Sequence, residues 1–188
     1  MLPDHELVRR CLDGNAPAQK EFYHRFAPRM MGVCYRYVQN VGEAEDVLQE
    51  GFIKAFRDMK QFRNEGSLEG WLRRIMVNSA LNFLNHEKYF RSEIDLEFVR
   101  TAPSDSPDAL DLMENNEVME MIGELSYGYR TVLNLFAIDG YSHREIGEMM
   151  GIGESTSRSQ YARARQLLLR KVEEKNLIKL VHERAEQH

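Results

Sequence analysis

Apolar residues recur every three or four positions along nearly the whole chain, and that period confines it to helices. Phe22, Phe26, Met30, Val33, Cys34 and Tyr37 follow it, then Leu48, Phe52, Ala55, Phe56 and Met59, then Leu68, Trp71, Leu72, Ile75, Met76, Ser79 and Phe83. No stretch alternates apolar and polar residues as a half-buried strand must. The expected fold is all-α: two small helical domains joined by a flexible acidic linker, the C-terminal one a helix-turn-helix.

The pattern predicts helices over Asp4 to Leu12, Pro17 to Gln39 and Glu43 to Met59, with Asn40-Val41-Gly42 as the break between the last two. A further helix follows Ser67, whose hydroxyl is a candidate N-cap. Between Arg91 and Asp111 periodicity is lost, Pro103 and Pro107 enter and acidic residues collect, which reads as a linker. Helices resume over Leu112 to Leu125, Tyr129 to Ile138, Ser142 to Met150 and Ser155 to Glu174. The expected division is a domain over 1–90, a linker over 91–111, a second domain over 112–176 and a tail over 177–188.

Charge is unevenly distributed along this frame. The net charge is −5, yet Ser92 to Glu124 holds ten acidic residues and only Arg100, a net of −9, which leaves the rest at +4. Arg158, Arg163, Arg165, Arg170 and Lys171 oppose only Glu154 between Glu154 and Lys171, the footprint expected of an element that binds duplex DNA. No apolar run approaches the roughly 20 residues of a membrane span. The opening MLPDHELVRR carries charge where a signal peptide needs an apolar core, so a cytoplasmic protein without membrane insertion is expected. Cys11 and Cys34 fall in apolar helical patterns and read as buried thiols. Metal spacing, a nucleophile motif and a phosphate loop are all missing, which argues against an enzyme, a cofactor or a small-molecule substrate.

Three constellations stand out. In Asp139 to Gln166, Ser142 and Glu145 form a capping box, Gly151-Ile152-Gly153 makes a tight turn, and a basic segment follows. That is the layout of a helix-turn-helix whose second helix enters the major groove. That helix carries Arg158, Ser159, Gln160, Arg163 and Arg165; arginine can take guanine bidentately and glutamine can take adenine, while further arginines hold phosphates. Ser157 and Gly147 stand where many such units carry an apolar residue and an alanine. Next, Asp46, Gln49, Glu50 and Ile53 share one side of a helix whose other side is Leu48, Phe52 and Phe56. Acidic residues in a first turn also complement the helix dipole, with Gly42 as cap, so this polar side is open to either reading. Last, Asn78, Asn82 and Asn85 lie on one helical face, although asparagine is a poor helix former; solvation and hydrogen bonding to base edges both fit.

DVLQEGFIKAF, FRNEGSLEGWLRRIMVNSALNFL and YRTVLNLFAIDGYSHREIGEMMGIGESTSRSQYARARQLL, in that order, resemble the extracytoplasmic-function (ECF) group of bacterial RNA polymerase sigma factors. The resemblance implies core RNA polymerase and promoter DNA as partners, with an anti-sigma factor as a further candidate. It implies that the helix carrying Asp46, Gln49, Glu50 and Phe52 docks on the polymerase, which makes Asp46, Gln49, Glu50 and Ile53 the candidate contacts, whereas Phe52 can equally be core. It also implies that Phe62, Arg63, Asn64, Trp71, Arg73, Arg74, Asn78 and Asn82 handle melted minus-ten DNA, with Asn78 reading an extruded base. Arg158, Ser159, Gln160 and Arg163 would read the minus-thirty-five duplex with Arg165 as a phosphate contact, and Asn85 would be solvated. A conventional helix-turn-helix regulator acting without core polymerase is the alternative, and it predicts tight duplex binding by the protein alone.

Overall fold

The computed structural model describes the backbone of residues 2–93 and 116–185, with side chains over 2–86 and 118–175. Among the described residues there is no strand, and eight α-helices carry the fold. The chain divides into two compact units, Met1–Glu114 and Asn115–His188.

The first unit holds α1 (Asp4–Leu12), α2 (Ala16–Val38), α3 (Val41–Asp58) and α4 (Leu68–Glu93). Asn15 caps α2, its side chain accepting from the Ala18 amide at 2.9 Å, and Pro17 enters the first turn, where no amide donor is needed. The break expected at Asn40-Val41-Gly42 is tighter than that. Gln39 ends α2 in the left-handed region at φ 59, and Asn40, not Gly42, caps α3 by accepting from the Glu43 amide at 3.1 Å. The asparagine side chain supplies the acceptor that a glycine lacks.

The inward stripes of α2, α3 and α4 meet in one core of Phe22, Met30, Tyr37, Val47, Leu72 and Met76, among others. Phe22 is its hub, with ring centroids 5.1 Å from Phe26, 5.4 Å from Phe56 and 6.0 Å from Phe52. Each such side chain contributes roughly 1.5–3 kcal/mol through burial. Gly51 lets α3 approach α4 closely: a Cβ there would lie 2.9 Å from Met76 Cε. Leu7, Val8 and Cys11 of α1 join the core, and both cysteines are buried free thiols as expected. Burial pushes the Cys34 thiol up to about 12.

Beyond residue 90, α4 continues to Glu93, so the expected linker begins inside a helix; the rest of that linker lies outside the described residues. The expected helix start at Leu112 also lies outside them.

The second unit holds α5 (Asn116–Gly123), α6 (Tyr127–Leu133), α7 (His143–Met150) and α8 (Glu154–Ala185). A π-helical turn, Asn134–Ile138, follows α6, closed by the Asp139 amide donating to the Asn134 carbonyl at 2.9 Å. Ile122, Leu125, Leu133 and Ala164 form the core, flanked by Met119, Tyr129, Ile138 and Leu168. The buried Arg130 guanidinium donates to the Gly123 and Leu125 carbonyls, both at 3.0 Å, and so closes the C-terminus of α5, where a cation also suits the helix dipole. The tail expected from residue 177 is helical to Ala185, because nothing between Glu154 and Ala185 is glycine or proline. No helix among the described residues is long and apolar enough to cross a membrane.

Candidate nucleic-acid interface

On α3, packing decides which side is presented. Val47, Leu48, Phe52 and Ala55 are buried, which turns Asp46, Gln49, Glu50 and Ile53 outward as one exposed stripe. Ile53 is 67% exposed, unusual for a large aliphatic side chain at the end of a polar stripe. Glu50 pairs with Lys54 at 2.6 Å, and the same ammonium donates to the buried Ser79 hydroxyl of α4 at 3.3 Å. One carboxylate of the stripe is thereby tied to the neighbouring helix. The dipole reading of Asp46 weakens, because Asn40 caps the helix and only Glu43 lies in the first turn.

The loop between α3 and α4 is held at both ends. Ser67 caps α4, its hydroxyl accepting from the Gly70 amide at 3.0 Å. Asn64 and Gly66 adopt left-handed φ values of 57 and 107, a conformation that asparagine tolerates and glycine favours. Phe62 packs on Trp71 with centroids 5.5 Å apart and planes at 49°, both rings half-buried, while Arg63 and Asn64 are exposed. Along α4, Trp71, Arg74, Asn78, Asn82 and Asn85 fall on one stripe at helical spacing. Arg74 and the three asparagines are exposed. Arg73 is set apart from them: it lies on the opposite side of α4 and is half-buried. The surface thus combines an aromatic pair, guanidinium groups and a row of amides, the groups that stack, neutralise and hydrogen-bond single-stranded nucleic acid.

In the second unit the capping box is complete. The Ser142 amide donates to Glu145 Oε2 at 2.8 Å, and the Glu145 amide donates to Ser142 Oγ at 3.3 Å. Gly151 ends α7 at φ 65. Gly147 has its own reason: a Cβ there would stand 2.8 Å from the Ile152 carbonyl oxygen, so even alanine would push against backbone. Ser157, Ala164 and Leu168 seat α8 in the core, which leaves Arg158, Ser159, Arg163 and Arg165 exposed. Gln160 does not join them. It is half-buried against Gly128, with an Oε1 that accepts no hydrogen bond among the described residues. Arg158 is paired one turn back with Glu154.

Sequence reasoning passed over His143. It is buried at the start of α7, its Nδ1 2.9 Å from Ser157 Oγ and its ring stacked on Phe136. Burial lowers its pKa from the ordinary 6.5; Arg158 adds to the shift and Glu154 opposes it. The polar Ser157 at a position that commonly holds an apolar residue was the signal that a polar partner had to be buried nearby.

Comparison with known proteins fits this geometry. The Sigma-70 region 2 family matches residues 22–89, and the Sigma-70, region 4 family matches residues 115–168. The chain is similar to the "ECF RNA polymerase sigma-E factor" of Haemophilus influenzae, at 31% identity over 183 residues, covering 92% of this chain and 96% of that protein. The protein of the same name from Escherichia coli is also 31% identical over 183 residues, with 92% of this chain and 95% of that protein covered. In fold the chain is similar to the sigma factor RpoE of Bartonella quintana, solved in complex with the anti-sigma factor NepR. That likeness has a TM-score of 0.50 at 20% identity and covers 82% of this chain and 96% of that one. With both regions present in order and a relative matched over nearly its whole length, the chain belongs to the ECF sigma factors of RNA polymerase.

Proposed function

We propose that the chain docks on core RNA polymerase through Asp46, Gln49, Glu50 and Ile53. Minus-ten DNA is trapped by the surface of Phe62, Arg63, Asn64, Trp71, Arg74, Asn78 and Asn82. The minus-thirty-five duplex is read by Arg158, Ser159 and Arg163, with Arg165 on phosphate. Gln160 and Arg73, both half-buried, act in this reading by supporting their helices. Residues 1–90 carry polymerase and minus-ten functions, 91–111 link them to the second domain, and 112–176 carry duplex recognition.

The observation that supports this most directly is the exposed α3 stripe in the same unit as the α4 amide row. An acidic, amide-bearing face that ends in one exposed aliphatic residue suits a basic helical partner. A conventional regulator has no use for such a face beside a single-strand surface. Opening a duplex costs a few kcal/mol for each unstacked step, and aromatic rings and amides return that only from unstacked bases.

In this role the protein works in the cytoplasm and catalyses no reaction of its own; the chemistry is the polymerase's. An anti-sigma factor is a further partner in this reading, as in the Bartonella quintana complex. Transcription in vitro with core polymerase on a pool of genomic fragments tests the assignment. Start sites that depend on this chain and share two spaced sequence elements are expected. Tight sequence-specific duplex binding by the chain alone, with no transcripts, would instead establish a conventional regulator.

A further inference from the structure

The buried contact between His143 and Ser157 has no part in docking or base reading as assigned above. His143 belongs to the first turn of α7 and is 8% exposed, while Ser157 belongs to the first turn of α8 and is fully buried. Their Nδ1 and Oγ atoms are 2.9 Å apart. Phe136, from the π-helical turn, lies flat on the imidazole with centroids 4.2 Å apart and planes within 9°. Tyr161, one turn beyond Ser157, contacts both rings, at 4.6 Å from Phe136 and 5.8 Å from His143. The π-helical turn and α7 each contribute one side chain to this cluster, and α8 contributes two.

A hydrogen bond is directional, whereas aliphatic packing is not. A pair of aliphatic residues at these positions would hold α8 at the same distance but leave it free to roll by several degrees. The Ser157 hydroxyl ends that freedom, because its Cβ must point at the imidazole nitrogen. Arg158 and Ser159 follow Ser157 directly, so their direction is set by the same bond. At the roughly 5–6 Å outer radius of a helix, a roll of ~10° moves a side-chain tip by about 1 Å. That is enough to spoil a bidentate base contact, which needs its donors held to about 0.5 Å.

We propose that His143 is a positioning residue for duplex recognition: its bond to Ser157, clamped by Phe136 and Tyr161, sets the rotation of α8 and with it the sequence discrimination of Arg158 and its neighbours. The proposal rests on α8 being the helix that reads the minus-thirty-five duplex. It differs from a stabilising role in what it controls. Loss of a merely structural contact weakens binding to every sequence alike, whereas loss of rotational control lowers the preference for the cognate sequence.

The test uses holoenzyme assembled from core polymerase and the full-length chain. Affinity is measured for promoters carrying the cognate minus-thirty-five element and for single-base variants of it. Ser157→Ala removes the hydroxyl without adding volume, and His143→Leu removes its ring partner. Each is expected to lower the ratio of cognate to variant affinity about five- to tenfold, the size of effect that one hydrogen bond commands. His143→Gln, which keeps a hydrogen-bonding amide, is expected to recover part of the ratio. The melting temperature of each variant separates misfolding from loss of rotation.

An unchanged ratio in Ser157→Ala and His143→Leu, with Arg158→Ala lowering it, would overturn the proposal while leaving α8 as the recognition helix. An unchanged ratio in Arg158→Ala as well would overturn the recognition-helix reading itself. A uniform loss of affinity in Ser157→Ala would assign the bond a structural role only and would also refute the proposal.

Discussion

Met76 of α4 fills the space that a Cβ on Gly51 of α3 would need, with its Cε 2.9 Å from that position. Two helices to which we assign different duties, polymerase docking and DNA trapping, approach closely because one lacks a side chain where the other has a thioether. Gly51→Ala forces fully buried Met76 to move and is expected to destabilise the first unit by about 1–3 kcal/mol, as overpacking does. Urea unfolding of the full chain measures this; a gain in stability, as expected for alanine in an open helix, would show that Met76 can rearrange freely.

Reversal of charge at Asp46 and Glu50 to lysine is expected to abolish co-purification with core polymerase. Both residues are exposed, and the Glu50–Lys54 pair is a surface pair worth at most about 1 kcal/mol, so the fold should survive. Circular dichroism checks the fold. Retained binding to core would remove the α3 stripe from the docking surface.

Asn78→Ala is expected to leave core binding intact and to change which minus-ten sequences are used in a promoter library. Asn85→Ala, two turns further along the same stripe, is expected to change neither. If both substitutions leave the library profile as it is, base reading by this face is wrong.

Arg158→Ala is expected to cost about 1–3 kcal/mol on a cognate minus-thirty-five element, the range for a side chain in contact with a base. Its Glu154 partner is exposed and can return to water, so little of that loss would come from an orphaned carboxylate. Equal losses on cognate and scrambled elements would make it a phosphate contact.

Acid should weaken the second unit through His143. Burial, with Arg158 adding and Glu154 opposing, lowers the pKa of this group in the fold below its ordinary 6.5. Its contribution to stability is therefore complete above pH 6.5 and is lost as pH falls through the folded-state value. Thermal melts of wild type and His143→Gln between pH 7.5 and about 5 check this. The two should diverge more at neutral pH than in acid; parallel curves would mean that His143 titrates as it does in the unfolded chain.

Much of the architecture was legible in the residues. The outward stripe of Asp46, Gln49, Glu50 and Ile53, the Ser142–Glu145 capping box and the shared face of Asn78, Asn82 and Asn85 all follow from a 3.6-residue period and local capping chemistry. Both depend only on residues within a turn or two of each other. Helix ends were less legible, since Asn40 and Gly42 compete for one cap and only the backbone's course decides between them.

The rest depended on how helices cross. His143 reads as one scattered histidine and Ser157 as a departure from pattern, and neither names the other across 14 residues of sequence. Gln160 falls at the edge of an exposed face by period, but Gly128 leaves room for it to turn inward. Arg73 and Arg74 are neighbours in the chain, yet 100° of helical rotation sends one toward the core side and the other to solvent. Sequence alone determined the helices, their order and the faces they offer, because those are set by short-range periodicity. Tertiary structure decided which polar groups are buried against which, because that depends on crossing angles and close approaches such as Gly51 to Met76, to which residues far apart in the chain contribute together.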